Sequence, residues 1–178
     1  MAYPSKSGPL TGSVFGLVRL LAESPSFQRK TGVSNQIEAE QHIYRWQFRE
    51  SPLLLNAARP FAAVWPSFEM DFEQFAGGSA NWLSGKGALT LYLTDNDRHP
   101  KEDRHKSGDE FAAWLDAVVY NDVKKKFAVD DHLDGTGITI LRPPIHNREW
   151  DTTSQGNYWD AMFLIHWGRD VFEALRAR

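Results

Sequence analysis

The apolar residues near the start of the chain recur at the spacing of an amphipathic helix. The pattern predicts helical structure over 13–30. Pro25 lies inside this stretch, so we expect a break near Ser24 and a short second turn that carries Phe27. Gly32 is placed to end that turn. The apolar face of the first helix consists of Val14, Leu17, Val18, Leu21 and Ala22.

A second helix is predicted over 34–49, because its large apolar residues also recur at helical spacing. We expect Pro52 to end it, since proline cannot continue a helix. The predicted stripe consists of Ile37, Ile43, Tyr44, Trp46 and Phe48.

After this point the apolar residues recur at every second position, a spacing that is typical of strands. The apolar run 61–65 lies between two prolines and predicts a buried strand. Alternation of apolar and acidic residues over 68–73 predicts a half-exposed strand. A glycine turn at 77–79 and an alternating strand over 88–94 then predict an antiparallel pair.

Residues 95–106 contain no large apolar side chain and predict a long polar loop. The stretch 107–110, Ser-Gly-Asp-Glu, favours a helix-capping box. The helix that follows has the clearest apolar face in the chain, and the basic run Lys124, Lys125 and Lys126 suits its C-terminal end. The residues of this face are Phe111, Trp114, Leu115, Val118 and Val119.

Two further strands are predicted over 138–141 and 158–167, and a short closing helix over 171–175. The order of elements predicts an α+β fold, with a mixed, mainly antiparallel sheet of four to five strands flanked by helices. We expect residues 1–12 to be a flexible lead and 13–178 to form one domain.

Composition narrows the class of protein. The chain has 178 residues, 42% of them hydrophobic, which is ordinary for a globular domain. It contains no cysteine, so disulfides and thiolate chemistry are excluded. No run approaches the roughly 18 apolar residues of a membrane span. We expect neither a membrane nor a nucleic-acid partner, because no basic stripe stands out.

The charges are unevenly distributed along the chain. Residues 1–60 carry seven basic and four acidic residues, a balance of +3, whereas 107–135 carry three basic and seven acidic residues, a balance of −4. Regions of opposite charge allow copies of one protein, or different proteins, to meet with complementary potentials.

The chain shows no recognisable catalytic or metal-binding motif. His99, His105 and His132 lie in the most polar stretches without metal-ligand spacing, and we interpret them as solvated loop residues. His166 lies among bulky apolar residues, where a core histidine is the commoner outcome. The stretch 84–87, Ser-Gly-Lys-Gly, is better interpreted as a β-turn than as a phosphate-binding loop. We therefore expect no enzyme, metal or cofactor.

The chain has seven tryptophans. Trp114 and Trp167 fall on apolar faces and are interpreted as core. The others near element ends can serve a core, a protein interface or a sugar-binding surface. These are Trp65, Trp82, Trp150 and Trp159.

Several segments occur in a distinctive order. They are an N-terminal helix with Val14-Phe15-Gly16-Leu17-Val18-Arg19-Leu20-Leu21, a second helix, Arg59-Pro60-Phe61-Ala62-Ala63-Val64, a glycine-led strand over 84–93, a long central helix, and the ending Tyr158-Trp159-Asp160-Ala161-Met162-Phe163-Leu164-Ile165-His166-Trp167-Gly168. This order resembles the tail-terminator or tail-completion proteins of long-tailed bacteriophages, over roughly residues 13–168.

The resemblance implies a protein that assembles into a ring, commonly a hexamer, on the finished tail tube. It implies three partners, namely further copies of the chain, the tail-tube protein and a neck or head-completion protein. The expected location is the phage tail, or the host cytoplasm during assembly. The residues that we expect at interfaces are Arg98, Lys101, Arg104, Lys124, Lys125, Lys126, Trp150 and Trp159.

Two other functions stay open at the level of the sequence. One is a small ligand-binding domain or enzyme with a pocket around His166 and nearby aromatic residues. The weaker one is a carbohydrate-binding module that uses exposed tryptophan rings. A pocket with perturbed histidines and carboxylates would favour the former, and glycan binding by Trp150 or Trp159 the latter.

Overall fold

The computed structural model describes residues 9–47, 52–66, 71–77, 80–97, 104–127, 139–141, 146–148 and 157–174. The helices are α1 (Pro9–Ala22), α2 (Pro25–Thr31), α3 (Gln36–Glu40), α4 (Pro52–Leu55), α5 (Arg104–Leu115) and α6 (Lys124–Phe127), and a π-helical segment (Asp116–Val123) joins the last two. The strands are β1 (Ile43–Arg45), β2 (Phe61–Pro66), β3 (Asp71–Gly77), β4 (Ala80–Asn96), β5 (Thr139–Leu141), β6 (His146–Arg148) and β7 (Tyr158–Ala174). We call the continuous helical stretch 104–127 the long helix.

The α+β class and the mixed, mainly antiparallel sheet are confirmed. Strand β1 lies parallel to β2, and the other described strand pairs are antiparallel. The strand order β1-β2-β4-β7-β5 forms the continuous path of five strands, while β3 pairs with β4 and β6 pairs with β7. The long strands β4 and β7 therefore form the centre of the sheet.

Both faces of the sheet are covered where β2, β4 and β7 lie side by side. On the helix face, Leu89, Leu91 and Leu93 of β4 join α1, α2 and the long helix in the larger core. On the opposite face, which we call the α4 face, Phe61 and Tyr92 join a smaller cluster with α4. Alternation along each strand divides the side chains between these two faces.

The prediction of a break after the first helix is confirmed. The Ser24 Oγ atom accepts a hydrogen bond of 3.1 Å from the Phe27 backbone N–H at the start of α2. Gly32 ends α2 in the left-handed conformation, with a φ of 75°. Helix α1 begins at Pro9, inside the segment for which a flexible lead is expected.

The predicted second helix over 34–49 is confirmed only at its start, Gln36–Glu40, and is wrong beyond it. Helix α3 ends at Glu40, and Ile43–Arg45 forms strand β1, which pairs with residues 62–64 of β2. Ile43 faces the larger core, whereas Tyr44 packs against the smaller one, so this segment follows the strand period. Pairing with β2 provides backbone hydrogen bonds for residues 43–45 and buries their side chains on both faces of the sheet. These interactions outweigh the helical spacing of the apolar residues. Pro52 begins α4 rather than ending a helix.

Strands β4 and β7 are much longer than predicted. The stretch 84–87 lies within β4, where Ser84 pairs with Glu73 on one side and Asp170 on the other, so the predicted β-turn is wrong. The predicted closing helix over 171–175 is also wrong, because Val171 pairs with Leu83 as part of β7. In each case a neighbouring strand supplies the hydrogen bonds that the local sequence does not reveal.

The expected loop over 95–106 is shorter in the structure. Strand β4 continues to Asn96, and α5 begins at Arg104, whereas residues 98–103 lie outside the described part of the chain. Asp95 and Asp97 are buried rather than solvated. The predicted capping box is wrong, because Ser107 lies inside α5 and is buried.

Candidate functional site

The lysine run is the part of the expected interface that the structure describes most fully. Lys124, Lys125 and Lys126 are all exposed on α6. The Lys126 Nζ atom lies 3.7 Å from a carboxylate oxygen of Glu23, and both side chains of this pair are solvent-accessible. An exposed ion pair of this kind contributes little to stability.

The other expected interface residues are distributed differently. Arg98, Lys101 and Trp150 lie outside the described residues, and Arg104 is the first residue of α5. Trp159 is partly buried and packs against the larger core, with its ring stacked on Phe111 at a centroid distance of 6.3 Å. Of these residues, Trp159 is the one whose side chain the structure describes, and it packs against the core rather than standing on an exposed surface.

The histidines show no metal site in the part of the chain that the structure describes. His166 lies in β7 and pairs with Ala88 and Thr139. His99 and His132 lie outside the described residues, and His105 lies near the start of α5. Among the described side chains, no group of three or more histidines and carboxylates is placed to bind a metal ion.

A buried polar network lies on the α4 face of the sheet, near the C-terminal end of β4. Strand register creates it, because Thr94 pairs with Phe61 on one side and Asp160 on the other. Thr94 is fully buried and Asp160 is 1% exposed. Tyr92 lies two residues before Thr94 and therefore on the same face.

Hydrogen bonds and ring stacking connect this network. Arg59 Nε donates to Thr94 Oγ1 at 3.0 Å, and Thr94 Oγ1 donates to the Trp159 backbone oxygen at 2.8 Å. The Tyr92 hydroxyl donates to Asp160 Oδ2 at 3.3 Å. The Arg59 guanidinium carbon lies 4.0 Å from the ring centre of Tyr158, close enough for a cation–π contact. These contacts connect strands β4 and β7 to Arg59, which lies two residues before β2.

The electrostatics favour a structural role for these groups. Burial and the neighbouring Asp160 charge raise the pKa of the Tyr92 hydroxyl far above its ordinary value. Burial lowers the pKa of Arg59, and Tyr92, Tyr158 and Asp160 oppose this effect only in part. Tyr92 thus remains protonated at neutral pH and acts as a hydrogen-bond donor rather than as a base.

A second polar cluster occupies the helix face at the same end of the sheet. Lys30 Nζ lies 2.7 Å from Asp95 Oδ2. Ser107 Oγ donates to Asp97 Oδ1 at 2.7 Å and accepts from Trp159 Nε1 at 2.9 Å. These bonds join α2 and α5 to β4 and β7. This end of the sheet therefore has buried polar contacts on both of its faces. We call it the polar end.

The sequence interpretation missed both clusters. Arg59, Tyr92 and Asp160 are far apart in the chain, and only strand register brings them together. One signal was present, because the face of the last predicted strand that carries Tyr158 and Asp160 mixes polar and apolar residues. A buried carboxylate that accepts a hydrogen bond from a tyrosine can be inferred from that pattern only once the neighbouring strand is known.

The comparisons with known proteins give no family for this chain. No protein-family model matches it, and no curated protein sequence matches it either. Within the described residues, none of the helices has the length and apolarity required to cross a membrane. The geometry of the described residues is therefore the basis for a functional proposal.

Proposed function

We propose that this protein is a structural component of a phage-like tail, a terminator-like ring that caps the tail tube and joins it to the neck. The order of segments described above supports the tail assignment by resemblance. The structure contributes a separate observation, which is a three-stranded ribbon at the end of the sheet opposite the polar end.

This ribbon is the observation that carries the proposal. Strands β4 and β7 continue as a pair over 80–88 and 166–174. At the usual rise per strand residue this extension reaches roughly 30 Å. Strand β3 flanks it through the pairing of 71–77 with 80–86. Within the described residues, no further strand pairs with the outer edge of β3 or with residues 167–174 of β7. Such edges are suited to pairing with a neighbouring subunit.

The remainder of the molecule suits such an assembly. Hydrogen bonds at the polar end connect β4 and β7 to Arg59, just before β2, and the ribbon continues β4 and β7 at the opposite end of the sheet. A closed ring needs head-to-tail contacts between unlike surfaces of identical subunits. The ribbon and the helix-covered part of the next subunit are two such unlike surfaces.

Light scattering and negative-stain electron microscopy of the purified protein test this proposal. We expect closed rings with a central lumen at high protein concentration. Tail tubes that end in a bound ring of this protein would support the position at the tube end. A strict monomer that also fails to bind tail tubes would overturn the proposal.

A further inference from the structure

The exposed surface of the long helix is divided into an acidic and a basic part. Asp109 and Glu110 are exposed on α5 and form the acidic patch. Asp116 lies two helical turns beyond Asp109 and adds an exposed carboxylate on the same side. The basic patch consists of Lys124, Lys125 and Lys126 on α6, which are also exposed.

The helix macrodipole accounts for only one of these patches. The lysines occupy the last turn, where positive charge interacts favourably with the helix end. The first turn of α5 contains no acidic residue, and the acidic patch begins beyond it. The macrodipole effect falls off within the first turn, so it does not account for the acidic patch. Lys106, also exposed, lies three and four positions before Asp109 and Glu110 and offsets one of the three acidic charges.

The two patches cannot neutralise each other within one chain. Asp116 and Lys124, the nearest exposed members of the two patches along the helix, are eight positions apart, which is about 12 Å at the helical rise per residue. That distance exceeds the Debye length of about 8 Å at physiological ionic strength. A second molecule can approach both patches.

Two carboxylates in the described part of the chain offset the basic patch in part. Lys126 lies 3.7 Å from Glu23 in an exposed pair. Asp122 precedes the patch, and its carboxylate accepts hydrogen bonds from Ser24 Oγ and the Ser26 backbone N–H. It stays ionised and also interacts electrostatically with Lys126. The Lys124 ammonium lies 5.8 Å from the centre of the Tyr120 ring, which adds no negative charge. Among the described side chains, the three lysines therefore face two carboxylates, those of Glu23 and Asp122, and a net positive charge is left at the end of α6.

We propose that the basic patch of one copy docks on the acidic patch of the next copy. This inference rests on the proposed ring, and it names one of the contacts that close it. The contact is heterologous, since each subunit offers its basic patch to one neighbour and its acidic patch to the other. Complementary charge would orient the subunits and speed their association.

A charge exchange tests the contact. The variant K124E/K125E places acidic residues in both patches, and the variant D109K/E110K places lysines in both. We expect each variant alone to lose self-association at low ionic strength, so that light scattering gives the protomer mass. An equal mixture of the two should recover the mass of the wild-type assembly, because unlike patches meet again.

The quadruple variant K124E/K125E/D109K/E110K is the matched control. It has the wild-type net charge and exchanged patches, so it should self-associate like the wild type and verify that the substituted helix folds. The assembly mass should fall as ionic strength rises. Self-association that persists in either double variant overturns the contact but leaves the ring proposal intact. A wild-type chain that is monomeric at low ionic strength overturns the contact, and binding to tail tubes then decides the proposed function separately.

Discussion

Thr94 shows how one buried hydroxyl can join three parts of the chain. It accepts a hydrogen bond from Arg59 Nε and donates one to the Trp159 backbone oxygen, and it is fully buried. A buried polar atom that loses its partner carries the full cost of desolvation. We therefore expect the Thr94 hydroxyl to contribute more to the free energy of unfolding than its small size suggests.

Replacing Thr94 with valine keeps the shape of the side chain and removes both hydrogen bonds. Because Arg59 Nε then lacks its acceptor, we expect the free energy of unfolding to fall by about 1–3 kcal/mol in urea denaturation. Thr90→Val is the matched control, since Thr90 lies on the same face of β4 and is also buried. Equal losses for the two variants would contradict a special role for Thr94.

Gly108 lies in α5 beneath the ring of Trp159. A Cβ atom at this position would lie 3.1 Å from Trp159 Cη2, which is closer than normal packing. The ring is held by its bond to Ser107 and its stacking on Phe111, so it has little freedom to move. This packing accounts for a glycine within a helix.

Gly108→Ala should therefore be destabilising. The gain in helix propensity is about 1 kcal/mol, while overpacking costs about 1–3 kcal/mol, and we expect a net loss in thermal unfolding. The effect should reverse in a Trp159→Leu background, where the smaller side chain removes the close contact. Stabilisation by Gly108→Ala in the wild-type background would show that the ring moves freely.

At the scale of elements, Asp122 connects the π-helical segment to α2. Its carboxylate accepts hydrogen bonds from Ser24 Oγ at 2.6 Å and from the Ser26 backbone N–H at 3.1 Å. Partial burial alone would raise the pKa of Asp122, but these hydrogen bonds and the nearby Lys126 outweigh it and lower the pKa below its ordinary value. The ionised form is therefore favoured in the folded protein.

This lowered pKa predicts a loss of stability in acid. Since the folded pKa lies below the unfolded one, the contribution is fully present above about pH 4 and is lost as the pH falls through the folded value. Asp122→Asn should be less stable than the wild type at neutral pH, and the difference should vanish in acid. Urea denaturation across pH measures it. In a Ser24→Ala background the Asp122→Asn difference should shrink, and an unchanged difference would contradict the coupling.

The elements differ in how far the sequence predicts them, for physical reasons. The break at Ser24 depends on a proline, a capping hydroxyl and a glycine within nine residues, 24–32, and such local interactions are visible in the chain. The stretch 34–49 has helical spacing, but Ile43–Arg45 pairs with β2, which begins at residue 61. Ser107 resembles a cap in sequence, whereas the structure uses its hydroxyl for Asp97 and Trp159.

At the scale of the whole molecule, the α+β class follows from local periods, but the pairing of strands does not. The short apolar run of β2 and the alternation along β7 predict strands by themselves. The central position of β4, and hence the meeting of Arg59, Tyr92 and Asp160, depends on contacts between distant segments. For this reason the polar end could not be predicted from one sequence, whereas the core face of the long helix could.

The two ends of the sheet should respond differently to substitution. Gly85 lies in the ribbon, where it pairs with Phe72 and Arg169, whereas Leu91 lies in the larger core of the same strand. Proline lacks the N–H that a central strand needs, so it disrupts pairing wherever it is placed in β4. We expect Gly85→Pro to abolish ring formation in light scattering while the protomer keeps a cooperative thermal transition.

Leu91→Pro is the matched control for this experiment, because the same change in the core should unfold the protomer itself. Circular dichroism distinguishes the two outcomes. Rings that form normally from Gly85→Pro would show that the ribbon makes no essential subunit contact, and the patches of the long helix would then have to close the ring without it. Loss of the folded protomer in both variants would instead show that the ribbon and the core unfold as one cooperative unit.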